Sequence, residues 1–359
     1  MRPSFFALGW FGVLAVATAL PAAAEGGRYV EIPETVDPNV VVSGTGAFAT
    51  PSDAETTPGV PFPGVVGTAG VNHDGVAALN ATIAGTTNTT GGSTALLWTG
   101  RHVLTAAHVL TDASGTLNIS TGSLFYETSG GVVVYGFDAA DVTIHPGWNG
   151  VFGTGVDLAI ITLDNQVDFT VPRYQVFNGN LVDDLVNEDL AYFRFGAGYG
   201  QTGTGTTGAQ NGTSGVKRFG YNVYDGVFVD GQGTPEDIYI LYDFDSGLEE
   251  NNLLGATGLG ELEANTAPGD SGSPGFIYDE ESGEYLIGGV TSFSARLADG
   301  PGQTDIDGAL NRTFGEYSAD INVGAYRGWI ASVVPEPATG SLLVFGGAAA
   351  LLLRRRRRV

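Results

Sequence analysis

Short apolar runs alternate with turn-forming residues along the chain from about residue 65 onward. The clearest runs lie at residues 77–79, 95–98, 132–135, 158–163, 238–241 and 285–287. Apolar runs of this length, bounded by Gly, Asn, Asp and Pro, are typical of β-strands. Two glycine-rich stretches, 196–215 and 298–303, predict loops, and only 181–190 and 326–333 predict helices. The pattern indicates an all-β protein of two similar halves, with the first helix between them.

Composition supports this pattern and excludes several functions. Glycine is abundant, with 56 residues, and charged residues make up only 15% of the chain, a balance that suits short strands and tight turns. The sequence has no cysteine, which excludes disulfides, thiol catalysis and Cys-ligated metals. The net charge is −24, and residues 25–334 are more acidic still, because Arg2 and residues 354–358 lie in the end segments. A field of this sign repels nucleic acid, so no nucleic-acid partner is expected.

The amino-terminal segment has the three parts of a secretory signal. A basic Arg2 precedes an apolar run over residues 5–20, and residues 22–24 are all alanine. This order predicts a signal peptide over residues 1–24, removed by signal peptidase, with a membrane anchor as the alternative. Residues 25–64 are rich in Pro, Gly, Thr and Val without helical periodicity, which predicts a pro-segment or linker.

The carboxy-terminal segment, residues 335–359, has a second ordered pattern. Pro-Glu-Pro at 335–337 precedes an apolar stretch at 338–353, and five arginines follow at 354–358. The apolar stretch is slightly shorter than the ~20 residues of a typical spanning helix, and the arginines are expected on the cytoplasmic side. The order resembles the PEP-CTERM sorting signal of Gram-negative bacteria. The resemblance implies transient membrane insertion, removal by an exosortase, and delivery to the cell envelope, cell surface or medium. A plain carboxy-terminal anchor is the alternative, and it also exports the domain.

Three separated segments supply the parts of a nucleophilic site. Thr-Ala-Ala-His ends at His108, an apolar strand pattern follows Asp157, and Gly-Asp-Ser-Gly-Ser-Pro contains Ser271. A serine hydroxyl is a weak nucleophile, so it needs a base within hydrogen-bond reach. That base needs an acceptor to hold its tautomer. The segments provide these groups in the order His, Asp, Ser.

These motifs resemble those of the trypsin-like (chymotrypsin-fold) serine proteases. Weaker similarities lie at residues 91–93, 144–149, 198–200, 290–294 and 317–330, so the resemblance spans about 65–331. The resemblance implies two antiparallel β-barrels with the active site in the cleft between them. The first barrel would comprise residues 65–180 and the second residues 181–334.

The resemblance also implies individual roles. Ser271 would attack the scissile carbonyl, His108 would transfer the proton, and Asp157 would orient the imidazole. The backbone N–H groups of Gly269 and Ser271 would form the oxyanion hole. The substrates would be proteins or peptides, and no cofactor or metal would be needed. Asp270 would pair with a newly cut amino terminus, for which Val65 is the candidate, although no basic cleavage residue precedes it.

The resemblance assigns the substrate pocket to Asn265, Ser292, Phe293 and Ser294. Asn265 stands six residues before Ser271, where trypsin has an aspartate. A neutral amide cannot match the charge of a buried Arg or Lys as a carboxylate does. Small-to-medium neutral residues are therefore expected before the cleaved bond, unless an acid at Glu261 or Glu263 reaches the pocket.

Other functions stay open at this stage. A catalytically silent surface adhesin or matrix protein could share the fold, because fold alone does not fix function. Esterase-type hydrolysis is disfavoured, because the Gly-x-Ser-x-Gly elbow is absent. The acidic segment 243–250 has oxygen ligands for calcium but not the spacing of an EF-hand, so a solvated charged loop is the preferred interpretation.

Overall fold

The structure, a computed structural model, describes most of the chain beyond residue 70. The described residues are 71–335, apart from 129, 188–189, 230–231, 233, 256–257, 260–262 and 298–301, together with three short strands nearer the amino terminus. The predicted signal peptide, linker and sorting signal lie almost wholly outside this set and stay predictions. Within it, no helix has the length and apolar character needed to cross a membrane.

Strands dominate the described residues. The strands are β1 (Leu20–Pro21), β2 (Tyr29–Glu31), β3 (Val42–Ser43), β4 (Val76–Ile83), β5 (Thr89–Leu96), β6 (His102–Thr105), β7 (Ile119–Thr128), β8 (Gly131–Asp138), β9 (Val142–Ile144), β10 (Ala159–Thr162), β11 (Leu190–Gly198), β12 (Gln201–Thr204), β13 (Gly208–Gln210), β14 (Arg218–Tyr224), β15 (Gly226–Val229), β16 (Pro235–Asp243), β17 (Pro274–Asp279), β18 (Glu284–Ala295) and β19 (Tyr317–Asn322). The α-helices are α1 (Leu181–Asn187) and α2 (Arg327–Val333), and short 3₁₀ helices lie at Ala107–Val109, Ala139–Asp141, Glu249–Asn251 and Val323–Tyr326.

The first sheet contains seven antiparallel strands in the order β8-β7-β4-β5-β6-β10-β9. Along β4, Ala77, Leu79 and Ala81 are buried, whereas Asn80 between them is exposed. This alternation arises because successive side chains of a strand point to opposite faces. The first sheet therefore packs one face on the core and exposes parts of the other.

The second sheet runs in the order β1-β11-β17-β18-β19-β16-β15-β2, and β14 pairs with β11 beside this path. Apart from the short parallel contact of β2 with β15, its pairings are antiparallel. Its central strand β19 is buried throughout. Tyr317 and Ile321 belong to the hydrophobic core, whereas Ser318 and Asp320 make buried hydrogen bonds on the opposite side. One face of β19 is therefore apolar and the other carries a buried polar network.

The all-β prediction with two antiparallel sheets is confirmed, and the sheets curl into half-barrels. Among the finer predictions, helix 326–333 matches α2, but helix 181–190 is too long, because the chain already enters β11 at residue 190. The loop predicted at 196–215 is wrong, since it contains β12 and β13. Its glycines let backbones approach closely: a Cβ at Gly203 would lie 1.7 Å from the carbonyl oxygen of Gly208. The division of the barrels at residue 180 stays a prediction.

Aromatic contacts join the two sheets. One hydrophobic cluster includes residues of both. The ring of Phe152 meets that of Phe293 edge-on with 5.7 Å between centroids, and Tyr174 meets Phe276 at 4.7 Å. Edge-to-face pairs at these distances are favourable. The candidate site residues lie at this junction.

Candidate active site

Strand pairing brings His108 and Asp157 together. His108 lies in the 3₁₀ helix Ala107–Val109, directly after β6, and Asp157 stands just before β10. These strands pair with Thr105 opposite Ala159, so the end of one lies beside the start of the other. His108 Nδ1 is 2.7 Å from Asp157 Oδ2, and the His108 backbone N–H donates to Asp157 Oδ1 at 2.8 Å.

The Asp157 carboxyl is fully buried and accepts a third hydrogen bond. The Ser292 hydroxyl donates to Asp157 Oδ2 at 2.6 Å. An ionised carboxylate only accepts, so His108 Nδ1 carries a proton in this arrangement and Nε2 is the acceptor. The His108 side chain is 12% exposed, and its ring meets Phe152 edge-on at 5.1 Å. The imidazole is therefore oriented by Asp157 with one face partly open.

Ser271 lies on a tight turn that packs against β6, the strand that leads to His108. The turn needs glycine at two positions, because Gly269 and Gly272 have φ values of 104° and 85°. A Cβ at Gly272 would lie 2.1 Å from Thr105 Oγ1, so the turn and β6 touch. Ser271 is 5% exposed. Its hydroxyl makes no hydrogen bond to His108, although the structure brings the two segments into contact.

Two backbone N–H groups of this turn donate to no acceptor in the described part of the protein. Among the described residues, neither the N–H of Gly269 nor that of Ser271 has a hydrogen-bond acceptor. Ser271 is buried and Gly269 is half-buried, so the turn presents two N–H groups that no described acceptor occupies. Such a pair can receive the negative oxygen that forms during acyl transfer.

The four predicted pocket residues separate into three environments. Asn265 is buried, and its Oδ1 accepts from the Ser318 hydroxyl, which is also 2.7 Å from the Ser294 hydroxyl. Asn265 Nδ2 is buried without a partner among the described residues. Phe293 lies in the hydrophobic core, and the Ser292 hydroxyl binds Asp157. Only Asn265 and Ser294 therefore share one environment.

Asp270 anchors the turn from inside the second sheet. Its Oδ1 accepts from the Gly200 N–H at 2.6 Å and its Oδ2 from the Ala267 N–H at 2.9 Å. Burial raises the pKa of this carboxyl to about 6, against the opposing effect of these hydrogen bonds and of nearby guanidinium groups. Val65, the predicted amino-terminal partner, lies outside the described residues.

The acidic segment differs from the expected solvated loop. Glu249 and Glu250 are exposed, but Asp243 and Asp245 are buried. Burial raises the pKa of both aspartates and raises that of Glu263 to about 8. Glu263 accepts from the backbone N–H groups of Asp245 and Leu259, while Glu261 lies outside the described residues. Within the described part of the chain, no group of three acidic or histidine residues is arranged to hold a metal ion.

An open groove extends from the turn across the first sheet. It has a volume of about 570 Å³, and its lining includes Gly269, Tyr199, Gly92, Phe125 and Val132. Its lining is mixed apolar and polar, which suits a polypeptide more than a small ion. The groove reaches the turn at Pro268 and Gly269, and its lining does not include Ser271 or His108.

Two protein-family models match parts of the chain. Residues 70–218 match the family model described as trypsin, and residues 154–306 match the one described as immunoglobulin A1 protease. No curated protein sequence matches the chain. A solved structure of HL collagenase is similar at 16% identity with a TM-score of 0.49, covering 82% of this chain and 99% of that one. The family matches support a serine protease of the trypsin-like class.

Two residues that bond to the turn or to the segment beside it were assigned no role in the site from the sequence. Ser93 on β5 donates through Oγ to the Gly269 carbonyl at 2.9 Å. Arg218 on β14 donates to the Gly200 carbonyl at 3.0 Å. Residues 91–93 were part of the family resemblance, but the sequence gives no sign that the Ser93 hydroxyl contacts the turn. Arg218 could have been singled out from the sequence, because basic residues are scarce in this acidic chain.

Proposed function

We propose that the chain is an exported serine endopeptidase that uses Ser271, His108 and Asp157. The observation that carries the proposal is the pair of hydrogen bonds from His108 to the buried Asp157 carboxyl. They orient the imidazole so that Nε2 is left as a base. The unpaired N–H groups on the adjoining Ser271 turn support the same reaction.

In the first half of the reaction, Ser271 Oγ attacks the peptide carbonyl carbon and its proton passes to His108 Nε2. The carbonyl electron pair moves to oxygen, and the N–H groups of Gly269 and Ser271 bind the resulting oxyanion. Each such donor contributes roughly 10²–10³ in rate. Asp157 stays ionised and stabilises the imidazolium.

Collapse of this intermediate breaks the C–N bond and leaves the acyl group on Ser271. His108 gives the proton to the leaving amine nitrogen. Water then attacks the ester, with His108 taking one water proton and returning it to Ser271 Oγ. The products are the two peptide fragments, and the enzyme is restored without a cofactor.

We infer the side chain that the enzyme prefers before the cleaved bond from the chemistry of Asn265. Its unpaired Nδ2 is a donor, and burying a substrate cation beside a donor leaves the desolvation cost unmet. A neutral side chain of small-to-medium size fits better. Ser318 bonds to both Asn265 and Ser294, so these two serines add hydroxyl groups to this environment.

Peptide hydrolysis by a matched pair of serine variants tests the proposal. Ser271→Ala removes the nucleophile, whereas Ser273→Ala changes a serine two positions away whose hydroxyl binds Thr291 Oγ1 at 3.0 Å. Hydrolysis of a quenched fluorescent protein substrate should vanish in the first variant and persist in the second. Equal activity in both would reject Ser271 as nucleophile. A folded wild type without hydrolysis would favour the silent surface protein.

We further propose that the chain is exported to the envelope or surface of a Gram-negative cell, through signal peptidase and exosortase. The ordered segments at residues 1–24 and 335–359 support this delivery. Mass spectrometry of protein recovered from its own cell surface should find no peptide from residues 354–358. An intact carboxy terminus on the delivered protein would favour a plain membrane anchor.

A further inference from the structure

Ser93 of the first sheet forms hydrogen bonds with the turn at residues 267–272. Ser93 lies on β5 and is fully buried. Its Oγ donates to the Gly269 carbonyl at 2.9 Å and accepts from the Tyr199 N–H at 3.0 Å. Its own backbone N–H donates to the Ser271 carbonyl at 2.8 Å. One residue of the first sheet therefore fixes two carbonyls of the turn.

The second sheet holds the other side of the turn through Arg218. The Gly200 N–H donates to the Asp270 carboxylate, while the Gly200 carbonyl accepts from Arg218 Nη1 at 3.0 Å. Arg218 Nη2 also donates to the Thr213 carbonyl at 3.1 Å. The guanidinium thus fixes the peptide segment that binds Asp270, and it adds a positive charge near that carboxylate.

Backbone encloses the Asp270 carboxylate closely. A Cβ at Gly198 would lie 2.2 Å from Asp270 Oδ1, and one at Gly200 would lie 2.3 Å from Oδ2. No side chain larger than hydrogen fits at either position without displacement. The backbone at Gly198 and Gly200 therefore packs directly against the carboxylate.

The remaining cavity beside Asp270 is suited to an acceptor. It has a volume of about 20 Å³ and is lined by Arg194, Arg218 and Asn265, so it has room for about one water. Arg218 Nε and Asn265 Nδ2 are buried there without partners among the described residues. An ammonium group only donates, and an inserted amino terminus would meet two unpaired donors and two guanidinium groups beside the Asp270 carboxylate that also lines this cavity.

Resting on the proposed function, we propose that Ser93 and Arg218 are positioning residues for the oxyanion-binding turn. They hold the N–H groups of Gly269 and Ser271 in place within the uncut chain. Formation of the site then needs no new amino terminus.

The test uses the full-length chain, confirmed as uncut by mass spectrometry, and two pairs of variants. Ser93→Ala is matched by Thr94→Val, which removes the next hydroxyl of the same strand, bonded only to the Ala77 carbonyl at 3.4 Å. Arg218→Met is matched by Arg173→Met, whose guanidinium binds the Val167 carbonyl. Steady-state kinetics and amide hydrogen exchange over residues 267–273 are measured for each.

The uncut wild type should hydrolyse peptides, and its segment 267–273 should exchange slowly. Ser93→Ala and Arg218→Met should lower kcat about tenfold or more with KM within about threefold, because oxyanion contacts act in the transition state. They should also speed exchange in this segment, and the two controls should change neither quantity. Wild-type exchange in both variants, or activity that appears only after a cut in residues 25–70, overturns the proposal. If no form hydrolyses peptides, the proposed function fails, and exchange alone still decides whether Ser93 and Arg218 hold the turn.

Discussion

At the scale of single residues, the Asp157 carboxylate organises the site because three donors converge on it. His108 contributes its ring and its backbone N–H, and Ser292 contributes its hydroxyl. The sequence predicted Asp157 from its place before an apolar strand and His108 from its motif. It did not predict the hydrogen bond from Ser292 to Asp157, because a strand pattern cannot tell which neighbouring segment a buried hydroxyl faces.

Replacing Asp157 by Asn should abolish most activity. The amide offers one acceptor for three donors, and its NH₂ group would favour the wrong imidazole tautomer. A fall in kcat of about 10⁴ is expected, as for this change in other Ser-His-Asp sites. Asp168→Asn is the control, because Asp168 is exposed and binds only the nearby Thr170. Activity within tenfold of wild type would remove Asp157 from the site.

Replacing Asn265 by Asp should shift specificity toward Arg and Lys. The backbone N–H of Thr266 and the Ser318 hydroxyl already donate to Oδ1, so a carboxylate can be accommodated and would supply the missing charge. Cleavage-site profiling of a peptide library by both proteins measures the change. A wild type that already prefers Arg or Lys would contradict the assignment of Asn265 to the pocket.

At the scale of elements, short apolar runs located most strands that build the two sheets. The predictions failed where glycine supplies strand residues, as in β12 and β13, because glycine carries no hydrophobic signal. They also missed the buried polar face of β19, since Ser318 and Asp320 read as exposed positions until the surrounding strands are known. Both failures have one cause: tertiary contacts that a single segment does not encode.

The Ser271 turn should tolerate no side chain at Gly272. Gly272→Ala places a Cβ in a positive-φ conformation and 2.1 Å from Thr105 Oγ1. The control is Gly212→Ala, where φ is 79° but nothing lies within 4 Å. The expected loss in unfolding free energy is about 2–4 kcal/mol for Gly272 and about 1 kcal/mol for Gly212. Equal losses in urea unfolding would mean that the contact between the turn and β6 is absent.

At the level of the whole molecule, acidic side chains are found in the interior as well as on the surface. The chain carries a net charge of −24, and several of its carboxyls are buried. Burial raises the pKa of Glu263 to about 8 and that of Glu316 to about 7. These groups bind protons in the folded state at pH values where the unfolded chain has released them. Folding is therefore linked to proton uptake near neutral pH.

Stability should fall as the pH rises through 7 to about 8, the pKa to which burial raises Glu263. Carboxyls with raised folded pKa values contribute stability below their unfolded pKa, and this contribution is lost as the pH passes through the folded pKa. His73, His102 and His145 have little effect in this window, because burial lowers the pKa of each and the unfolded value is about 6.5. Urea unfolding midpoints measure the slope. Glu263→Gln should flatten it, and a midpoint that rises with pH would contradict the burial of these acids.

The central claim is that Ser271 is a nucleophile activated by His108. The most direct measurement is mass-spectrometric mapping of the residue modified by a fluorophosphonate, in the wild type and in His108→Ala. We expect one modified residue, Ser271, and loss of labelling in the His108 variant, because the hydroxyl then has no base. Labelling at another residue, or equal labelling of Ser271 without His108, would contradict it.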